Sequence, residues 1–320
     1  MPSQPGVGDV HIDGLMTQIS IAFTNEEYIA EQVFPIVMVD KQSDIIPQYP
    51  KAEFLRDVMQ PWVPGTPGAR SGYSVDTSLK YFCNGWKLGK LLPDDIVKNA
   101  DLPFNMFKDA ARWLEEQALL RWELEFASNF LGATGPGAAW TQKAAGTDFT
   151  AWDNYGGSDP INDLRVFADT SRTLTGKISN KAVMGKLTWD KLVDHPLIVD
   201  RLKYTSKESI TKEMLAKLVG LETILIGSAI NITSIEGETP DVVAEVFPKN
   251  VLLAAVPSSP GLLTPAAGYT FVWKPITGTP RFNRRLELPE IESTVLEVKS
   301  YFEIKQIDGD FGTLLTGVIA

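Results

Sequence analysis

Residues 104–130 read FNMFKDAARWLEEQALLRWELEFASNF and predict the longest regular element of the chain. Apolar residues recur there at steps of three and four, the pattern of a single apolar stripe along an α-helix. With Asp101 or Asn99 as the cap and Pro103 in the first turn, we expect a helix of about 28 residues, roughly 40 Å long. It should end at the Gly/Pro break after Phe130. The predicted stripe is Phe104, Phe107, Ala111, Leu114, Ala118, Trp122, Phe126 and Phe130.

The sequence after this helix predicts a compact α/β lobe. Residues 132–160 are rich in Gly, Thr and Trp and are expected to form loops, and a helix then opens at Asp159 or Pro160. Short helical and strand patterns alternate from 176 to about 287, with a break at His195–Pro196. Residues 294–305 alternate between apolar and charged, and the apolar carboxyl end predicts a last strand within a sheet.

The sequence before the helix predicts segments without a core of their own. The first 19 residues suggest an extended arm, Asn25 is expected to cap one helical turn, and PIVMV at 35–39 predicts a strand. Residues 45–88 predict two strands, starting with IIPQYPKAEF, around a Pro/Gly-rich loop at 60–74. A two-stranded excursion is marginally stable alone, so it must lie on the body of the chain or on a neighbouring subunit.

Composition excludes several classes of protein. The chain has 320 residues, enough for about two domains, with 44% hydrophobic and 22% charged residues. Its net charge of −10 argues against a protein that coats nucleic acid or binds an anionic membrane. A single cysteine, Cys83, excludes an intrachain disulfide and a thiolate zinc cage. No signal peptide and no membrane-spanning run is expected, which favours a soluble protein made in a reducing compartment.

The sequence predicts no catalytic, cofactor-binding or metal-binding residues. GATGPG at 132–137 follows a helix rather than a strand, so it lacks the context of a dinucleotide-binding turn. Asp194 next to His195 has no nucleophile motif beside it, and Asp94–Asp95 has the pattern of a helix start. Cys83 lies in a predicted strand among aromatic residues, where a buried or inert surface thiol is expected.

The remaining features point to contacts between subunits. Trp62, Trp140 and Trp152 fall in predicted loops, where aromatic side chains often anchor an interface. Three arginines form a basic cluster that we expect on a solvated or subunit-facing loop, with phosphate contact as the alternative. The residues predicted at a subunit interface are Trp62, Pro64, Arg70, Tyr73, Arg281, Arg284 and Arg285.

The order of these segments resembles the major capsid proteins of tailed bacteriophages, whose fold is shared with encapsulins. The resemblance is carried by strings spread over most of the chain: NEEYIAEQVFPIVMVDKQSD (25–44), YFCNGWKLGKLLPDDIVKNAD (81–101), VMGKLTWDKLVDHPLIVDRLKY (183–204), LVGLETILIGSAI (218–230) and TPAAGYTFVW (264–273). It implies an α+β fold in five parts: an N-terminal arm at 1–40, an extended loop at 41–92, a spine helix with the first part of a peripheral domain at 93–175, an axial domain at 176–287, and return strands of the peripheral domain at 288–320.

The resemblance also implies a function. It predicts a structural, non-enzymatic subunit without cofactors that forms hexamers and pentamers of an icosahedral shell. The shell would enclose double-stranded DNA through weak inner-face contacts, with portal, scaffold or decoration proteins as further partners and no membrane. The chain would be made in the host bacterial cytoplasm and reside in the virion. Two alternatives stay open: an encapsulin-like compartment for protein cargo, and a soluble α/β enzyme with an unrecognised site.

Overall fold

A computed structural model describes residues 24–25, 27–100, 105–132, 135–202, 210–237, 239–261, 263–274 and 281–319. In this part of the chain the helices are α1 (Ala30–Val33), α2 (Lys51–Leu55), α3 (Asp94–Lys98), α4 (Met106–Phe130), α5 (Pro160–Thr175), α6 (Lys186–Val193), α7 (Pro196–Leu202) and α8 (Lys212–Val219). The strands are β1 (Ile36–Val39), β2 (Ser43–Ile45), β3 (Lys80–Phe82), β4 (Asn84–Pro93), β5 (Thr141–Ala144), β6 (Lys181–Gly185), β7 (Thr223–Gly227), β8 (Ile230–Ile232), β9 (Val243–Glu245), β10 (Val251–Ala254), β11 (Gly268–Trp273), β12 (Arg281–Leu288), β13 (Ser293–Gln306) and β14 (Gly312–Thr316).

The strands form two five-stranded sheets and two short hairpin-like pairs. In the first sheet the long strand β13 pairs with β4 along one side, and with β12 and then β11 along the other, while β1 pairs with β11 in parallel. The second sheet has the order β5-β14-β10-β6-β7. Strands β2 and β3 form one separate antiparallel pair, and β8 and β9 form the other.

The spine helix α4 begins where its sequence supplies a cap. The side chain of Asn105 accepts a hydrogen bond from the backbone N–H of Lys108, so the prediction of Asn99 as cap is wrong. Asn99 instead ends α3, while Asp101 and Pro103 lie outside the described residues. Phe130 is the last helical residue, as predicted.

The buried side of α4 is only partly the predicted stripe. Four large members of the stripe are buried as expected, but Ala110 and Ala127 are buried in place of Ala111 and Ala118, and Glu123 is buried among them. Phe104 lies outside the described residues. The aromatic rings of α4 pack against both sheets and form the main core with residues that include Phe34, Trp122, Phe126, Phe130, Leu252, Phe302 and Leu314.

A second core lies on the opposite side of the second sheet, beneath α5, α6 and α8. Helix α5 is capped by Asp159, which accepts from the N–H of Asn162 at 3.1 Å, and it ends at Gly176 with φ +79°. The predicted helices around His195–Pro196 and before Gly220 are also present as α6, α7 and α8. The strands predicted in this region alternate with them, but they divide between the two sheets: β6, β7 and β10 lie in the second sheet, and β11 and β12 lie in the first.

Three local predictions before and after the spine helix are wrong. The segment IIPQYPKAEF is not one strand, because β2 ends at Ile45 and α2 begins at Lys51. The stretch 132–160 is not all loop, since it contains β5. Asn25 caps no helix; its side chain instead bonds the backbone N–H of Ile230 at 3.0 Å.

The sheets cross the boundary predicted at residues 287/288. The boundary falls inside β12, near its end, and β12 pairs antiparallel with β13 as a neighbour in the first sheet. Strand β14 near the carboxyl end pairs with β10 and β5 in the second sheet, as the apolar pattern predicted for a strand within a sheet. The peripheral and axial domains of the sequence prediction therefore share strands in this region.

Candidate subunit interface

The central part of the extended loop predicted at 41–92 leaves the body of the protein between β2 and β3, at residues 46–79. These two strands pair over three residues, and Gln48 and Asp76 form one further antiparallel bridge. The side-chain amide of Gln48 donates to the carbonyl of Ile307 at 2.8 Å, and Lys51 forms an ion pair with Asp310. The base of the loop is thus fastened to the segment that follows β13.

Beyond this base the loop has no buried core. Every residue from 51 to 78 is exposed, and the apolar side chains of this segment lie in solvent. Met59 is 87% exposed, Trp62 59% and Val63 64%. An exposed apolar surface of this extent on one segment is typical of a protein–protein interface.

Local contacts nevertheless give the loop a defined shape. The rings of Tyr49, Phe54 and Tyr73 contact each other with centroids 5.6–6.0 Å apart. Glu53 accepts hydrogen bonds from the N–H and hydroxyl of Ser74, at 2.5 and 2.8 Å, and these bonds lower the pKa of its carboxyl. The two limbs of the loop are therefore held together without the body of the protein.

The four loop residues predicted at an interface all lie on this exposed segment. Pro64 and Arg70 are exposed, and Tyr73 belongs to the aromatic group just described. The indole N–H of Trp62 donates to the carbonyl of Thr66 at 2.6 Å, which leaves the ring face outward. Their contact with another subunit stays a prediction.

The two other loop tryptophans are core residues. Trp140 and Trp152 are buried, and their indole N–H groups donate to the carbonyl of Phe130 and to the carboxylate of Asp163. The expectation that they anchor an interface is wrong because the loops that carry them fold back over the two cores.

The three arginines lie on strand β12, so the prediction of a loop is wrong for them. Arg281 is engaged inside its own subunit: it forms ion pairs with Glu31 and with Glu115, the latter at 2.9 Å. Arg284 and Arg285 are exposed, and the Arg285 guanidinium lies 4.8 Å from the ring centre of Phe107. Contact of these three arginines with another subunit stays a prediction.

Arg285 also borders a groove of about 520 Å³ beside the start of the spine helix. Lys98 and Phe107 line it from α3 and α4, and Leu288 and Pro289 line it from the turn between β12 and β13. Its mixed charged and apolar lining is a surface that a neighbouring subunit can cover.

The hairpin-like pair β8–β9 forms a second exposed apolar surface that the sequence prediction missed. Its strands and connecting turn expose five branched apolar side chains to solvent. The alternation of apolar and polar residues in INITSI at 230–235 was the signal available for it. These side chains are Ile230, Ile232, Ile235, Val242 and Val243.

The residues considered for catalysis have structural roles. His195 is fully buried, its Nε2 lies 3.0 Å from the hydroxyl of Ser158, and its Nδ1 accepts from the N–H of Leu197. Burial lowers the pKa of His195, so the ring is neutral at neutral pH and both its nitrogens are engaged in the contacts just described. Burial raises the pKa of the Cys83 thiol to about 11, which makes it a poor nucleophile at neutral pH. Within GATGPG, Gly135 and Gly137 belong to a 3₁₀ helix, Gly135–Ala139.

No group of three or more His, Cys, Asp or Glu side chains in the described ranges is arranged to hold a metal ion. Likewise, none of the helices within those ranges combines the length and apolar character needed to cross a bilayer.

Comparison with known proteins relates this architecture to phage shells. No family model matches the chain. The major capsid protein of Burkholderia phage BcepMu is 25% identical over 323 residues, covering 96% of each protein. Among solved structures, a phage-related protein from Bordetella bronchiseptica has a TM-score of 0.70 at 20% identity, over 93% of this chain and 95% of that one. The mature capsid of bacteriophage PhiM1 has a TM-score of 0.58 at 12% identity, over 96% and 92%.

The chain has the phage major-capsid fold. The resemblance noted in the sequence is thereby confirmed, as are the α+β class and the interpretation as a phage major capsid protein. The encapsulin from Synechococcus elongatus shares the fold, with a TM-score of 0.52 at 11% identity over 98% of this chain and 95% of that one. The comparisons favour the phage capsid over this compartment and over a soluble α/β enzyme, and they indicate a structural, non-enzymatic protein.

Proposed function

We propose that this capsid-fold chain is the shell-forming subunit of a tailed-phage head. It assembles into hexamers and pentamers, and these close into an icosahedral shell around double-stranded DNA. The chain is made in the cytoplasm of the host bacterium and resides in the virion. Its relatives and structural neighbours among capsid proteins support self-association.

One observation carries the proposal: the extended loop is exposed throughout residues 51–78 and presents large apolar side chains to solvent, among them Phe54, Met59 and Trp62. A folded chain gains stability by burying such side chains, and this segment has no partner surface within the described part of its own subunit. Identical copies supply that surface in a shell. A standard interface of this kind buries on the order of 1,600 Å².

The five parts implied by the resemblance have distinct places in this shell. The part of the arm at 1–40 that precedes α1 and the exposed part of the loop at 41–92 overlap adjacent subunits, whereas α1, β1 and β4 pack within their own subunit. The axial domain at 176–287 meets its copies around a symmetry axis. The exposed apolar side chains of β8–β9 support the second contact, because they project from that domain without cover. The region at 93–175 contains the spine helix, and the return strands at 288–320 pack against it through contacts such as Trp122 on Phe302.

The contact with DNA in this proposal is weak. The chain carries 40 acidic and 30 basic residues, so its surface does not grip phosphate strongly. A container needs only to enclose its contents, and the portal, scaffold and decoration proteins of a phage head are further partners. The contents of the shell distinguish a phage head from an encapsulin-like compartment, because the first encloses DNA and the second holds protein cargo.

Deletion of residues 58–75 tests the role of the loop. The shortened chain should stay folded, because no buried residue is removed, and it should fail to form shells in electron micrographs. A matched variant with residues 58–75 replaced by Gly and Ser keeps the length of the loop and should fail in the same way. Normal shells from both variants would refute the role of the loop.

Analysis of particles that contain this chain tests the contents. Nuclease treatment followed by extraction should recover protected double-stranded DNA from phage particles. Particles that contain a protein cargo and no protected nucleic acid would contradict the phage head and support the encapsulin-like alternative.

A further inference from the structure

The short helix α1, near the root of the arm, is capped at both ends by charged side chains from elsewhere in the fold. At its start, Glu123 of α4 accepts hydrogen bonds from the N–H groups of Ile29 and Ala30, the second at 2.8 Å. At its end, the ammonium of Lys181 from β6 donates to the carbonyls of Gln32 and Val33 at 2.7 and 3.0 Å. Each charge matches the end of the helix that it contacts.

Other side chains fasten the same segment, residues 27–34, which we call the arm root. The hydroxyl of Tyr28 donates to Glu116 of α4 at 2.8 Å. Arg281 of β12 joins Glu31 of the arm root to Glu115 of α4. The arm root is therefore the place where the spine helix and both sheets are held together.

Glu123 has an unusual position in this arrangement. It is 1% exposed, and one of its oxygens accepts both backbone hydrogen bonds while Oε2 has no partner among the described residues. Within the described residues no ion pair balances its charge. Burial raises the pKa of Glu123 to about 7, against the lowering effect of the two N–H donors.

The charged groups around it strengthen this effect. Glu27 and Glu31 of the arm root both raise the pKa of Glu123. The one cation of β12 nearby, Arg281, is directed to Glu31 and Glu115. Tyr28 carries no charge near neutral pH, because burial raises its pKa to about 12.

We propose that Glu123 acts as a proton-operated clasp on the arm root, which stays seated while the carboxyl is protonated and loosens when the proton is lost. A loosened root exposes Glu123 to water, where its pKa returns toward 4.5. The seated state thus binds the proton more tightly than the released state. Anchorage is complete below pH 4.5 and weakens as the pH rises through about 7.

Lys181, at the other end of α1, is a second group whose titration could loosen the arm root as the pH rises. Burial lowers the pKa of its ammonium, and Glu222 opposes the lowering. Loss of the Lys181 proton would also weaken α1 as pH rises, so a test must separate the two groups. Replacement of Glu123 alone does so, because Gln keeps the size and the carbonyl acceptor but has no proton to lose.

The test is amide hydrogen exchange on the full-length chain between pH 4.5 and 8.5, with exchange rates corrected for their intrinsic dependence on pH. Protection of the amides at 28–34 should fall by roughly 100-fold, mostly between pH 4.5 and 7, and should level off above about pH 7. Glu123→Gln should remove most of the fall. Glu116→Gln, which changes another acidic contact of the arm root, should retain it.

Two results would overturn the clasp: wild-type protection at 28–34 that is constant with pH, or a Glu123→Gln variant with an unchanged fall. If that variant does not fold, Lys181→Met separates the two groups instead, because it removes the Lys181 proton and keeps Glu123, so the fall between pH 4.5 and 7 should remain. Light scattering at each pH checks that the oligomeric state is the same throughout. The measurement needs no assembled shell, so its outcome is independent of the proposed function.

Discussion

Trp62→Ala should weaken assembly while it leaves the subunit fold intact. The ring is 59% exposed, and a tryptophan offers up to about 250 Å² of surface, so about 150 Å² remains for a neighbouring copy to cover. At about 25 cal/mol per Å² this area corresponds to at most about 4 kcal/mol per contact. If half of it is covered, the loss is about 2 kcal/mol, or roughly 30-fold in the association constant.

Within the subunit the same change should be nearly silent. The indole hydrogen bond to Thr66 is exposed, so the free energy of unfolding should change by less than about 0.5 kcal/mol. Trp152→Ala is the matched control, because Trp152 is fully buried and its loss should cost about 3–5 kcal/mol. Urea unfolding gives the stability, and light scattering against protein concentration gives the onset of assembly. An unchanged onset in Trp62→Ala, or a large loss of its fold stability, would refute the reasoning.

Three further variants or treatments test the interior. Arg281→Met should lower the free energy of unfolding by about 3 kcal/mol in urea, because it leaves two glutamates without their cation. His195→Phe should flatten the acid side of the stability curve: burial lowers the pKa of His195, so its contribution is present above pH 6.5 and is lost as the pH falls below that value. Cys83 should react with a thiol reagent at neutral pH at least about 100-fold more slowly than in the unfolded chain, since the thiol is buried and its pKa is about 11.

Each of these has its own control and contradicting result. Arg284→Met removes an exposed arginine from the same strand and should change stability by less than about 0.5 kcal/mol, so equal losses in both variants would contradict the role of Arg281. An unchanged acid slope in His195→Phe would show that other groups set it. Labelling of Cys83 in the folded chain at the rate of the urea-unfolded chain would show that the strand around it opens freely.

In the spine helix, sequence periodicity predicts the buried apolar residues but not the buried Glu123. Steps of three and four placed Leu114, Trp122, Phe126 and Phe130 in the core, because one helical face must pack against the sheets. The same pattern placed Glu123 outside the stripe. Its burial depends on two backbone N–H groups almost a hundred residues earlier in the chain, and no local pattern reports such a partner.

The residues predicted at an interface are likewise exposed in some cases and engaged within their own subunit in others. Trp62 is exposed as expected because the prolines and glycines around it prevent a core strand. Trp140 and Trp152 stand in equally loop-like sequence, yet tertiary packing covers them. Arg281 was grouped with its basic neighbours, although β12 directs it toward two glutamates that the sequence leaves far away. Local sequence thus predicts that a segment is a loop, whereas the burial of its side chains and the partners they contact depend on tertiary packing.

The central claim is that copies of this chain complete each other's surface. Cryo-electron microscopy of the purified, concentrated full-length protein tests it most directly. The account predicts closed icosahedral particles built of hexamers and pentamers, with the loop around Trp62 lying over an adjacent copy. Single, separate molecules at every concentration, with that loop ordered in solvent, would contradict it.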